Sequence, residues 1–298
     1  MAKPKHDPFF SRSLENPFIA KDFFKHHVPT QLKAYVNWKA LARIDRSNTD
    51  AALKKLHRDM IYKITIEEGK DIIIAAEHQS KEDPMMPIRY LRYDANILEA
   101  YVKKGHTKWP LIINLLLYNG NISPYPYSSE PLGYYRHTIE GKEQLYLFFY
   151  LLDLTQISDK ELLTHGLCAP MEILLKHCFD GNFEEHTSAY REVFQDCIEE
   201  VGDDYIVSML EYAYSLADFK IGEKMIKFVE EVFQNKQEVI MTYGQLLKRE
   251  AKKEGRQEGR QESRLSIAKN MLQKGCEISF IQEITGLSRE AIEKLKQE

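Results

Sequence analysis

Residues 56–80, LHRDMIYKITIEEGKDIIIAAEHQS, decide how this chain is read. Asp59 opens a run over 60–66 built mostly from β-branched and aromatic residues. Glu67-Glu68-Gly69-Lys70 interrupts it with charge and a glycine, and a more apolar run over 71–76 leads into Glu77-His78-Gln79. Two β-prone runs joined by a short turn containing glycine predict a hairpin. Side chains alternate along a strand, so Asp59, Ile61 and Lys63 share one face, and Ala75, Glu77 and Gln79 share one face of the next strand. The two acids can therefore converge at one end of the hairpin. A strand as apolar as residues 72–76 belongs inside a sheet, where an acid is costly unless it meets a cation or a partner. A hard divalent ion held by carboxylates, with water completing its shell, is the simplest such partner.

Outward from the hairpin, the pattern is that of an α/β protein. Asn16-Pro17 marks a helix start, Phe18, Ile19, Phe23 and Phe24 follow at helical spacing, and Pro29 stops the helix. His26 and His27 beside that proline read as surface or cap residues. After the loop Lys81-Glu82-Asp83-Pro84, Pro87 opens a helix that runs to Lys104 and ends at Gly105. Arg89, Arg92, Tyr93 and Asn96 share one of its faces. Two arginines directly after the site strand suit phosphate, while Arg89 can equally brace a core carboxylate. Residues 110–118, PLIINLLLY, have the length and apolarity of a central strand. The tyrosine- and proline-rich stretch 121–136 is expected to pack across a sheet edge, and 143–154 reads as a strand or a short helix. From 159 to 235 the pattern is helical and acidic. His165, His177 and His186 lack partners at metal-ligand spacing there, so the block reads as a scaffold.

Asp on one strand followed by Glu-x-Gln on the next resembles the core of the PD-(D/E)XK nucleases, with Gln in place of the usual lysine. The words Glu77-His78-Gln79-Ser80 and Met85-Met86-Pro87-Ile88-Arg89-Tyr90-Leu91-Arg92-Tyr93 are narrower. They resemble the recombination-promoting nuclease (Rpn) family, which also carries a transposase label. His6-Asp7-Pro8-Phe9-Phe10 and Trp109-Pro110-Leu111 are similar to that family's opening and later strand. The resemblance implies a mixed sheet flanked by helices over 1–155, followed by an acidic helical region, 156–246, and a helical tail, 247–298. It also implies an endonuclease that uses Mg²⁺, or Mn²⁺, on DNA. Asp59 and Glu77 would hold the metal with the main-chain carbonyl of His78, whose side chain points off the site face. Gln79 would orient water or a phosphate oxygen, and Lys63, Lys81, Arg89 and Arg92 are the candidates for phosphate.

Composition agrees with a DNA-facing N-terminal region. Residues 1–118 hold 20 Lys and Arg against 14 Asp and Glu, 119–246 hold 9 against 22, and 247–298 hold 12 against 9. The basic surplus coincides with the hairpin, and the acidic middle would repel a phosphate backbone. No run approaches the roughly 18 apolar residues a membrane helix needs, and MAKPKHD has no signal-peptide core. A cytoplasmic protein with no membrane partner is expected. Cys168, Cys178, Cys197 and Cys276 are too far apart for a zinc pattern and are expected to be reduced.

The tail changes character. Residues 248–264, KREAKKEGRQEGRQESR, repeat every four residues, setting Glu254, Glu258 and Glu262 in one helical stripe and Arg256, Arg260 and Arg264 in another. Like charges at this spacing repel by roughly 0.2–0.5 kcal/mol per pair in a lone helix, so a second copy that matches acid to base is expected, giving a homodimer or higher homo-oligomer through 247–298. FIQEITGLS, residues 280–288, resembles the turn of a helix-turn-helix. The acids of the following REAIEK favour an interaction hairpin over a DNA reader. Two other classes compete with the nuclease reading: a binding protein that keeps the fold without turnover, and a transposase. The third lacks the three acids of a ribonuclease-like fold and a strong DNA-reading domain.

Overall fold

The computed structural model describes residues 6–34, 36–44, 60–67, 70–129, 149–179, 183, 187–216 and 220–295, with side chains for all of these but 65–67, 70 and 246–260. The chain divides into two compact units, Met1–Gln237 and Glu238–Glu298.

The first unit is built on a five-stranded mixed sheet in the order β1-β2-β3-β4-β5. Its strands are β1 (Ala42–Arg43), β2 (Met60–Glu67), β3 (Lys70–Gln79), β4 (Leu111–Tyr118) and β5 (Tyr150–Asp153). β2 and β3 are the expected hairpin, antiparallel with Ile61 opposite Ala75 and Lys63 opposite Ile73. β3 and β4 run parallel, with Glu77 opposite Leu116 and Gln79 opposite Tyr118. Of the segment over 143–154, open between strand and helix, residues 143–148 lie outside the described residues, and Tyr150–Asp153 add to the sheet as β5, parallel to β4. β3 therefore has neighbours on both edges, as a run this apolar requires.

Each face of the sheet carries helices. Helix α4 (Met86–Lys103) crosses one face between β3 and β4 and ends at Gly105, which adopts φ +82°. Its Met86, Tyr90, Tyr93, Ile97 and Ala100 pack on Ile61, Ile73, Leu116 and Tyr118. The aromatic loop joins this cluster at the sheet edge: the Tyr125 ring lies 4.8 Å from that of Tyr118, and its backbone N–H donates to Asp153 Oδ2 at 2.8 Å.

The opposite face receives α1 (His6–Glu15) and α2 (Pro17–His27). Asn16 caps α2, accepting from the N–H groups of Phe18 at 3.0 Å and Ile19 at 3.4 Å, with Pro17 as its first residue. Ile19, Ala20, Phe23 and Phe24 form its buried stripe, and Phe24 meets Tyr62 at 5.0 Å between ring centroids. The Tyr62 hydroxyl donates to the carbonyl of Leu14, fixing α1 to β2. Beyond the single turns α3 (Thr30–Lys33) and α5 (Asp159–Leu162) come α6 (Ala169–Lys176), α7 (Thr187–Val201), α8 (Asp204–Ser215) and α9 (Lys220–Val232). α1 is held from behind by α8: Phe9 stacks on Tyr212 at 4.5 Å, His6 Nδ1 lies 2.7 Å from the Tyr212 hydroxyl, and the Tyr205 hydroxyl donates to Ser13 Oγ at 2.8 Å.

The second unit contains all but the first residue of α10 (Gln237–Gln273), then α11 (Ile278–Thr285) and α12 (Arg289–Leu295). Ala268, Ile281 and Ile292, one from each helix, are its buried centre. Gly286 takes the left-handed conformation, φ +67°, as the cap of α11. Ser288 accepts from the N–H of Ala291 at 3.3 Å, as expected of an N-cap. Among the described residues no helix is long and apolar enough to cross a membrane, and all four cysteines are free thiols.

Candidate active site

The C-terminal end of β3 puts Glu77 and Gln79 on the α4 face. Glu77 is 2% exposed, which makes its charge costly without a cation within reach. The first turns of α4 supply one: Arg89 Nη2 forms an ion pair with Glu77 Oε1. Gln79 Nε2 donates to the same oxygen at 3.2 Å. Arg89 is itself aimed by two residues. Its Nη1 donates to Asp83 Oδ2 at 3.0 Å and its Nε to the Tyr93 hydroxyl at 3.3 Å, one helical turn on. Asp83 also accepts from the N–H of Met85 at 2.8 Å, and its carbonyl accepts from the Tyr125 hydroxyl at 3.1 Å. Burial pulls the guanidinium pKa down, but the Glu77 charge and the bonds to Tyr93 and Asp83 outweigh it and hold the group above its ordinary range. Arg89 is therefore a permanent cation locked over the carboxylate.

His78 turns to the other face, as alternation demands. It is 1% exposed, with Nδ1 2.6 Å from Asp7 Oδ1 and Nε2 2.9 Å from Asn119 Oδ1. The hydrogen bond to His78 holds the Asp7 carboxyl below its usual range. Asn119 in turn donates to the Leu175 carbonyl at 2.9 Å. The residue beside Glu77 is thus tied to α1 and to α6, which fixes the end of β3 from behind.

The other sequence-predicted residues divide. Arg92 and Lys81 are exposed near the start of α4. Lys63 does not join them: it pairs with Asp71 at 2.7 Å and lies 5.9 Å from the centroid of the Tyr101 ring. It faces Ile73, four residues from Glu77 along β3, or about 13 Å at ~3.3 Å per residue. Lys63 shares the face of Glu77, as alternation predicts, but stands away from its end of the strand. Asp59 lies outside the described residues, and the described part of β2 begins at Met60, opposite Ala76. Nothing in the sequence marks Asp83 or Tyr93 as a partner of Arg89, although Tyr93 sits one turn from it on the same helical face.

The donors described here are hard: a buried carboxylate and a side-chain amide, with the main-chain carbonyl of His78 next in the chain. Such a set fits Mg²⁺ or Mn²⁺ rather than a thiophilic ion. Arg89 bears on the same carboxylate, so a divalent ion at Glu77 would share it with the guanidinium or displace it.

Residues 4–204 match a family model described as putative transposase, YhgA-like. Residues 261–297 match one described as the Rpn/YhgA-like nuclease family, C-terminal HTH domain. The helix-turn-helix reading of the tail, ranked below the interaction hairpin on the acids of α12, is the one this description carries. Recombination-promoting nuclease RpnA of Escherichia coli (strain K12) is 28% identical over 292 residues, covering 96% of this chain and 95% of that protein. The inactive recombination-promoting nuclease-like protein RpnE of the same strain is 27% identical over 291 residues, covering 95% and 94%. Recombination-promoting nuclease RpnD of Escherichia coli O157:H7 is 31% identical over 174 residues, covering 58% and 67%. No solved structure matches the chain.

Proposed function

Since the chain belongs to the YhgA-like (Rpn) nuclease family, we propose that it is a Mg²⁺-dependent DNA endonuclease that promotes recombination by cutting or nicking DNA. The observation that carries this reading is the buried Glu77 at the end of β3 with Gln79 beside it. Glu77, Asp59 and the His78 carbonyl would hold the metal, which when bound polarises the scissile phosphate and lowers the pKa of water. Gln79 can orient that water or a phosphate oxygen through its amide, adding no charge. Arg89 offsets the charge of Glu77 and closes one side of the carboxylate to solvent. Arg92 and Lys81 meet the backbone of DNA on the exposed side. Pure protein incubated with supercoiled plasmid, with and without Mg²⁺, tests the proposal. Nicking that needs the ion and stops with chelator is expected; cleavage that survives chelation would require a different chemistry.

A second reading is a binding protein of nuclease fold with little turnover. The ion pair between Arg89 and Glu77 favours it, because a guanidinium already bears on the carboxylate that the metal needs. The plasmid assay separates the two. Binding of DNA measured against salt tests the phosphate assignment in either case. Arg92→Ala is expected to lower the slope of log affinity against log salt by about 1. An unchanged slope would remove Arg92 from the interface.

The tail is proposed to serve both as a helix-turn-helix that meets DNA and as the contact between two copies, through the charge stripes of α10. Deleting 247–298 should convert a dimer to a monomer in sedimentation and weaken DNA binding, while metal-dependent cutting at high protein concentration persists. A truncated chain that sediments as the full-length protein does would end the dimer proposal.

A further inference from the structure

On the helical side of the first unit, three side chains converge that the plain spacing of the sequence keeps apart. His27 closes α2, His165 sits in the turn before the 3₁₀ segment Gly166–Cys168, and Glu172 lies in α6. His165 Nδ1 is 2.6 Å from Glu172 Oε2, and His27 Nε2 contacts the other oxygen, Oε1. One ligand atom from each of the three lies within 4.8 Å of the others. Glu172 is fully buried, and the side chains of His27 and His165 are each 6% exposed.

The surroundings bring His165 to this point deliberately. Gly166 adopts φ +64°, and a Cβ there would come 2.8 Å from Asp22 Oδ2, so only glycine lets the turn close onto α2. Asp22 holds it by accepting from the N–H of Leu167 at 3.2 Å. The exposed His26 covers the cluster, its ring 4.7 Å from that of His165.

A carboxylate with no exposure needs a positive charge nearby at any pH where it is ionised. A divalent ion supplies that charge without requiring either imidazole to be protonated. Two imidazoles and one carboxylate are a recurring zinc donor set, with a fourth position left to water. Bonds of about 2.0–2.2 Å place tetrahedral donors about 3.3 Å apart; the three atoms lie within 4.8 Å of one another, and the 2.6 Å contact of His165 with Glu172 needs to open by under ~1 Å to admit the ion.

We propose that His27, His165 and Glu172 bind a zinc ion that ties α2 to α6 and the turn between α5 and α6. The ring nitrogens facing Glu172 then present lone pairs in place of hydrogens. Any proton they carry moves to the opposite ring nitrogen or to solvent. This site is separate from the one at Glu77 in both residues and donor type.

The test uses the full-length chain, stripped with chelator and dialysed, then titrated with Zn²⁺ or Co²⁺. A Glu77→Gln background removes binding at the nuclease site. One tightly held zinc per chain is expected in both the native protein and Glu77→Gln, with a rise in melting temperature on zinc addition and the visible bands of four-coordinate cobalt. His165→Gln should weaken binding by more than the about 10–100-fold that loss of an outer partner costs. If that variant does not fold, the measurement on Glu77→Gln decides by itself. Absence of a tetrahedral cobalt spectrum and of retained zinc would show a metal-free His–Glu–His cluster and overturn the proposal. Zinc binding lost with Glu77→Gln, or kept in a folded His165→Gln, would overturn it as well.

Discussion

Glu77→Gln is expected to lower Mg²⁺-dependent nicking of supercoiled DNA by about 10³-fold, the upper end of what removing one polar donor costs. The substitution keeps volume and shape but takes away the buried negative charge that a hard cation needs. It spares the fold, because the amide oxygen can still accept from Arg89 and Gln79, and Arg89, with its side chain 30% exposed, can turn to water. Loss of one charge-assisted bond should cost about 1–2 kcal/mol of stability, so the variant should melt as a folded protein. Plasmid cutting at matched metal and protein concentrations measures the effect. A variant that cuts at the native rate would remove Glu77 from the chemistry.

Arg89→Ala should act in the opposite way, on stability first. Glu77 remains buried without its guanidinium, and breaking such a pair costs about 3–5 kcal/mol when both partners are buried. Here water reaches Arg89, so the lower end, about 3 kcal/mol, is expected. In a Glu77→Gln background the same substitution should cost only about 1 kcal/mol, a coupling of about 2 kcal/mol in urea denaturation. Additive effects would mean that the two side chains do not sense one another. The cycle holds under either reading of the site: a stabilising pair belongs to the folded protein whether or not a metal ever competes for Glu77.

Local features of the fold were legible because each rests on neighbours in sequence. The hairpin over β2 and β3, the cap at Asn16, the helix opened by Pro87 and the central strand over 110–118 follow from alternation, capping and apolar run length. Chain order also put Glu77, Gln79 and Arg89 near one another, since α4 follows β3 directly. What failed was distance along or across elements. Lys63 was assigned to the right face of β2, but its partner is Asp71, well down β3 from Glu77. Arg89 had two possible duties, and only the packing of α4 on the sheet brings it onto Glu77. The cluster at Glu172 had no local trace: His27 and Glu172 are 145 residues apart, and each looks ordinary in its own helix. Likewise nothing near His78 announces Asp7, which is 71 residues upstream.

The seating of α1 has a consequence for how the protein comes into being. His6 meets Tyr212, 206 residues later, and Ser13 meets Tyr205, 192 residues later. At about 5–20 residues per second, a ribosome needs about 10–40 s to travel that distance. For all of that interval the aromatic side of α1 has no α8 to rest on, although Asp7 of the same helix is what secures His78, next to Glu77. The nascent chain therefore carries the strand of Glu77 early and secures its end late. The same delay leaves Phe9 open to mispairing during translation, a hazard that grows whenever synthesis stalls before Tyr212 emerges.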